Sequence, residues 1–173
     1  PRGATYVFDN VDVVDSYVSG IKWIGGVYGY ATNEAGYGTI IVKNSDVTNL
    51  TLEGFDTSMG AITGHVSGTD KLTVVIENNN VSNITLLGSN PQKEGKMIGT
   101  LHLGQVQINN SFVDGVNALE AESFYGRYVK GVSSQVFVDG YELISNGMYK
   151  GAEATLISNA VGLRTLAIQV NSG

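Results

Sequence analysis

His65 and His102 are the only imidazoles in this 173-residue sequence, and so its most versatile candidate catalysts and ligands. Neither belongs to a metal-ligating spacing such as His-Glu-x-x-His. Within the repeat set out below, His65 aligns with Tyr30 and His102 with Tyr28, a mismatch that would send them to different faces. A nucleophilic triad needs a serine, a histidine and an acid brought together. Serine is abundant, but no Gly-x-Ser-x-Gly elbow occurs, so a triad would have to be assembled from distant segments. Glycosidic hydrolysis needs two carboxylates at a set separation. Asp12 and Asp46 hold equivalent repeat offsets, yet Asn80 takes the third such position and no basic residue accompanies them, which reads as a solvated turn. Asp56, Asp70 and Glu94 fall in variable loops without the close clustering that calcium requires. The expectation is no catalytic residue, no metal site and no cofactor.

Aromatic residues are the stronger signal. Tyr17, Trp23, Tyr28, Tyr30 and Tyr37 crowd the first repeat and its loop. Flat rings stack on sugars and anchor protein interfaces, so Trp23, Tyr28, Tyr30 and Tyr37 are the candidate ligand-binding residues. The competing use of the same rings is to fill the interior or cover an edge.

The elements that position these residues follow from an internal repeat. Phe8-Asp9-Asn10-Val11-Asp12-Val13, closing at Gly20, recurs as Val42-Lys43-Asn44-Ser45-Asp46-Val47, closing at Gly54. It recurs again as Ile76-Glu77-Asn78-Asn79-Asn80-Val81, closing at Gly88, and decays in a fourth copy from Ile108 through Asn110 and Val113. A second block, Ile24-Gly25-Gly26-Val27-Tyr28-Gly29-Tyr30, has relatives at Met59-Gly60-Ala61-Ile62-Thr63-Gly64-His65, at Ile98-Gly99-Thr100-Leu101-His102-Leu103 and, more weakly, at Tyr125-Gly126-Arg127-Tyr128. Periods of this length mark stacked-repeat architectures. Thr39-Ile40-Ile41-Val42 and Leu72-Thr73-Val74-Val75-Ile76 are β-branched runs, and Leu50-Thr51-Leu52 and Ile84-Thr85-Leu86 alternate with period two. Three short strands per repeat describe one coil of a three-sided parallel β-solenoid, right-handed in the common sense for parallel crossovers.

Asn tolerates the left-handed backbone region that tight corners need. Stacked in successive coils, Asn10, Asn44, Asn78 and Asn110 would form one amide ladder, and Asp15, Asn49 and Asn83 a second. Residues 1–140 are the expected solenoid, of three to four coils. Residues 141–173 are a C-terminal segment with a capping helix over 159–170, started by Ser158 and presenting Leu163, Leu166, Ala167 and Val170 on one face. The loops at 31–38, 55–58 and 89–96 vary in length where the strands do not, and in a solenoid such insertions gather on one face. Thr51 and Thr85 align, but Tyr17 breaks the flat threonine ladder that an ice-binding face would need.

A net charge of -6 argues against nucleic acid, whose phosphates want a basic surface, and against binding to an anionic membrane. No apolar run is long enough to span a bilayer, and the absence of Cys excludes disulfides and thiolate metal sites. The chain opens at Pro1 in what reads as mid-fold sequence, as expected of a piece of a longer protein.

The Ile24-Gly25-Gly26-Val27-Tyr28-Gly29-Tyr30 block, followed by a Val-x-Asn-Ser-x-Val run, resembles the GLUG-type repeat of large bacterial surface proteins. The resemblance covers about residues 8–131 and is strongest over 21–88. The tail from Leu156 to Ala167 is similar to the segment that opens a new β-helical module in such proteins. The family implies a non-enzymatic module on the cell surface or secreted, acting in adhesion, in glycan or protein binding or as a stalk. Its partners would be host glycans, host proteins or neighbouring modules of the same polypeptide. The alternative is a carbohydrate-active β-helix, or the solenoid part of a larger secreted enzyme.

Overall fold

The computed structural model describes residues 3–33, 37–131, 134–145, 147–151, 155–157 and 160–172. Parallel strands stack coil upon coil into a three-sided β-solenoid of about four turns. The first face runs Ala4–Asp9, Gly38–Lys43, Leu72–Glu77, Gln105–Asn109 and Gln135–Val138. The second runs Val13–Gly20, Asp46–Gly54, Asn80–Gly88 and Phe112–Val113. The third runs Tyr28–Ala31, Thr63–Ser67, Ile98–Leu103 and Tyr125–Tyr128. A short bridge, Ile24–Gly25 on Met59–Gly60, crosses the corner between the second and third faces.

Equal offsets in sequence become columns in space. Val42, Ile76, Ile108 and Val138 point into the core from the first face, and Val47, Val81 and Val113 from the second. In the first coil Phe8 takes the place of Val42 and is half-buried against the core, while Tyr6, which heads the neighbouring column of Ile40, Val74, Val106 and Val136, is 55% exposed.

Asn10, Asn44, Asn78 and Asn110 all lie in the left-handed region, with φ between 45 and 58°. Their amides do form a ladder: Asn110 Nδ2 donates to Asn78 at 2.8 Å and Asn78 Nδ2 to Asn44 at 3.3 Å. The ladder ends on Asp9 rather than Asn10, since Asn44 Nδ2 donates to Asp9 Oδ1 at 2.9 Å. A carboxylate accepts but has no proton to pass on, so the column stops there. In the second ladder Asn83 donates to Asn49, which donates to Asp15 at 2.7 Å. A third, buried column runs inside the first corner through Ser45, Asn79 and Ser111.

Two features depart from expectation. Ile98 pairs with Thr63, and Thr63 with Tyr28, so the third Gly-rich block continues Tyr28-Gly29-Tyr30 rather than Ile24-Gly25. The insertion holding the 3₁₀ turn Pro91–Lys93 displaces the true third copy of Ile24 to Glu94, which bridges to Met59. After Val138 the pairing turns antiparallel through Tyr141–Ser145, Met148–Lys150 and Thr155–Ile157, three strands the sequence pattern did not announce.

The helix follows over Ala160–Ser172. Ser158 and Asn159, the expected cap and first residue, lie outside the described residues. Gly162 is buried, and a Cβ there would sit 2.0 Å from the Gly147 carbonyl oxygen, so the first turns of the helix rest on the antiparallel strands. Of the expected apolar face only Leu166 is half-buried: Leu163 and Val170 are 61% and 71% exposed and Ala167 is exposed too, while Val161 and Thr165 are half-buried instead. Among the described residues no helix is long and apolar enough to cross a membrane.

Candidate binding site

The site begins at the corner that carries Trp23. Eleven non-glycine residues among those described have positive φ; ten are Asn or Asp, and the eleventh is Trp23, at 46°. Asn and Asp enter this region cheaply, whereas a bulky ring does so at a cost of about 1–3 kcal/mol. Two contacts hold Trp23 there. Its N–H donates to Thr57 Oγ1 at 2.8 Å, and its carbonyl oxygen lies 2.3 Å from where a Cβ on Gly29 would stand. Only glycine at position 29 allows that approach.

The corner aims the indole at the third face. Its ring stacks on Tyr30, with centroids 4.1 Å apart and planes 20° from parallel. One coil on, His65 occupies the position of Tyr30, with its ring 5.5 Å from Tyr30 and 5.9 Å from Trp23. Thr100 and then Arg127 continue this outward column. His102 joins from a bulge in the strand Ile98–Leu103, its ring 6.3 Å from His65. The two histidines therefore share one face, against the expectation that they diverge. The error lay in the repeat alignment.

Hydroxyls fix both rings. Ser58 Oγ lies 3.4 Å from His65 Nδ1 and 2.8 Å from Thr100 Oγ1, and Ser67 Oγ lies 3.3 Å from His102 Nδ1. Burial, with the nearby charges of His102, Arg127 and Lys93, pushes the His65 pKa down to about 4. The imidazole is thus neutral at neutral pH. A cleft of about 280 Å³ opens beside it, walled by Ile21, Lys22, Trp23, Ser58, His65 and Lys93. Asp56, also on its wall, is held by Lys93 Nζ at 2.9 Å and Asn90 Nδ2 at 2.8 Å, and these contacts lower its pKa. Among the described residues the hydrogen-bond partners of the two imidazoles are Ser58 and Ser67, whereas a triad also needs a carboxylate to orient the imidazole.

The four candidate aromatics separate. Trp23 and Tyr30 meet. Tyr28 turns inward, stacks on Phe8 at 5.9 Å and buries its hydroxyl, and burial raises its pKa. Tyr37 stays 69% exposed with Lys71 Nζ 5.4 Å from its ring centre. Residues 34–36 of the adjoining loop lie outside the described residues. Asp46, one of the two aligned acids, accepts the Asn80 amide at 2.8 Å and serves a ladder. Among the described residues no three His, Cys, Asp or Glu side chains gather as a metal site. Lys22, Lys93, Arg127 and the histidines were missed as companions of Trp23. The repeated x-Gly-x at 28–30, 63–65, 98–100 and 125–127 is the signal that aligns Tyr30, His65 and Arg127.

Ile21 also borders a second, open groove of about 610 Å³ on the second face, floored by Tyr17, Phe55 and Leu87. No family model matches the chain, and neither a curated protein nor a solved structure matches it.

Proposed function

We propose that this chain is a non-enzymatic recognition module of a secreted or surface-displayed bacterial protein, and that the Trp23–Tyr30–His65 strip binds a glycan. The solenoid is the rigid scaffold and the corner turn presents the ligand platform. The observation that carries the reading is Trp23 itself. Every other strained corner among the described residues uses the residue types that minimise strain, and this one gives that up to project an indole, 37% exposed, over a stacked tyrosine. A ring pair of this kind offers a flat apolar surface to the hydrophobic face of a sugar. The GLUG-type resemblance supports the surface location.

A glycan array probed with the wild-type chain and with Trp23→Asn tests it. The expected result is retention by a subset of saccharides that the variant loses. Silence across the array overturns glycan binding. Release of reducing ends from any polysaccharide replaces this reading with a carbohydrate-active β-helix.

A further inference from the structure

Building on the glycan-binding reading of the strip, we propose that its ligand is an acidic polysaccharide, a chain of pyranose rings carrying carboxylates, in preference to a neutral one. Three cations frame the rings. Lys22 Nζ lies 5.5 Å from the Trp23 ring centre. Lys93 walls the same cleft from the next-but-one coil, where its ammonium is shared with Asp56 at 2.9 Å, so of the three Lys22 and Arg127 are the two cations outside an ion pair among the described residues. Arg127 ends the outward column that starts at Tyr30; it is exposed and takes part in none of the ion pairs among the described residues. The chain as a whole carries -6, so this grouping runs against the average.

The charge pattern decides between ligand classes. Two neighbouring imidazoles suggest a metal cation, but Lys93 and Arg127 repel one and no third ligand joins them among the described residues. A densely sulfated or phosphorylated polymer carries more charge per ring than a polyuronate and so meets stronger net repulsion from a chain of net charge -6. Carboxylates spaced along a sugar chain need only a few cations. The Arg127 guanidinium can take one in a bidentate fork, while the lysines act as point charges. A polymer running along the solenoid axis meets a new coil about every 4.8 Å. It would pass from Trp23 and Tyr30 over His65 to Arg127.

Affinity electrophoresis in gels containing polygalacturonate, its fully methyl-esterified form, or heparin tests the inference. Polygalacturonate should retard the chain at least ~10-fold more strongly than the ester, a difference of about 1.4 kcal/mol. Arg127→Gln and Lys22→Gln should each weaken that retention about 5-fold, with melting temperatures unchanged. Equal retardation by acid and ester overturns charge selection but leaves glycan binding standing. Stronger retardation by heparin overturns the assignment to carboxylates. No retardation by any of the three polymers overturns this inference, and silence on the glycan array as well overturns the glycan reading beneath it.

Discussion

Asn79 accepts the backbone N–H of Ser45 at 3.0 Å through its side-chain oxygen, one coil away and with both residues fully buried. Its amide nitrogen donates to the Val42 carbonyl at 2.9 Å, and its own backbone N–H donates to Ser111 Oγ at 3.2 Å. One residue thus ties three coils at the first corner, its side chain to the coil before and its backbone N–H to the coil after. Asn79→Ala strands a buried donor and a buried acceptor, so it should cost about 2–4 kcal/mol, read as a lower urea midpoint. The neighbouring Asn78 has a different job. It is exposed, with φ at 55°, so Asn78→Gly should change stability by only a few tenths of a kcal/mol while Asn78→Ala costs about 1.

Gly64 stands where the corner of one coil packs against the strand of the next. A Cβ there would come within 2.6 Å of Ile24 N and the Trp23 carbonyl carbon, and 2.7 Å from Ser58 O. All three are backbone atoms that cannot rotate away. Gly64→Ala should cost about 3 kcal/mol and displace Trp23, so thermal melting and glycan binding should fall together.

Trp23 should show the opposite pattern. Trp23→Asn relieves about 1–2 kcal/mol of backbone strain and gives up about 0.5–1.5 kcal/mol of ring stacking on Tyr30. Its melting temperature should match the wild type within a few degrees while binding is lost. Trp23→Ala keeps the strain without the ring and should melt lower than Trp23→Asn. A stability loss in Trp23→Asn as large as that of Gly64→Ala would make the indole a packing residue.

His65 makes stability depend on pH. Its pKa in the folded chain is about 4 against an ordinary 6.5, so between those values the unfolded chain binds the extra proton. Stability is therefore full above about pH 6.5 and falls as pH drops toward 4. The unscreened ceiling is about 3 kcal/mol, which partial exposure brings to about 1. His65→Gln should flatten the denaturation midpoint across that window. Asp9, Asp56 and Asp114 act lower down. Hydrogen bonds from Asn44, Asn90 and Lys96 respectively are the main causes that lower their pKa values. Their contribution is present above the ordinary carboxylate value of 3.8 and is lost as pH falls through their lower folded values. A double loss, above and below pH 4, should appear in a pH titration of the urea midpoint.

The stacked architecture was legible in the sequence because it rests on preferences that individual residues carry with them. β-Branched runs favour strands, and Asn favours the left-handed corner wherever it recurs. A repeat of 34 residues, the separation of Asn44 from Asn78, turns those preferences into columns. The two outer amide ladders followed from equal offsets, except that the first ends on Asp9 and not on Asn10. Tertiary structure alone decided which way each ring faces. Tyr28 and Tyr30 lie two residues apart on one strand, yet one enters the core and the other joins the surface strip, either side of Gly29, where a Cβ would stand 2.3 Å from the Trp23 carbonyl oxygen. It also decided the third coil's register, where the insertion before Met97 moved His102 onto the face of His65. A single-residue shift reverses the side a strand residue faces, and equal spacing in sequence cannot reveal where such a shift falls. For the same reason Trp23 was visible as an aromatic in the chain, but its left-handed backbone, and the cations gathered around it, belong to the folded solenoid.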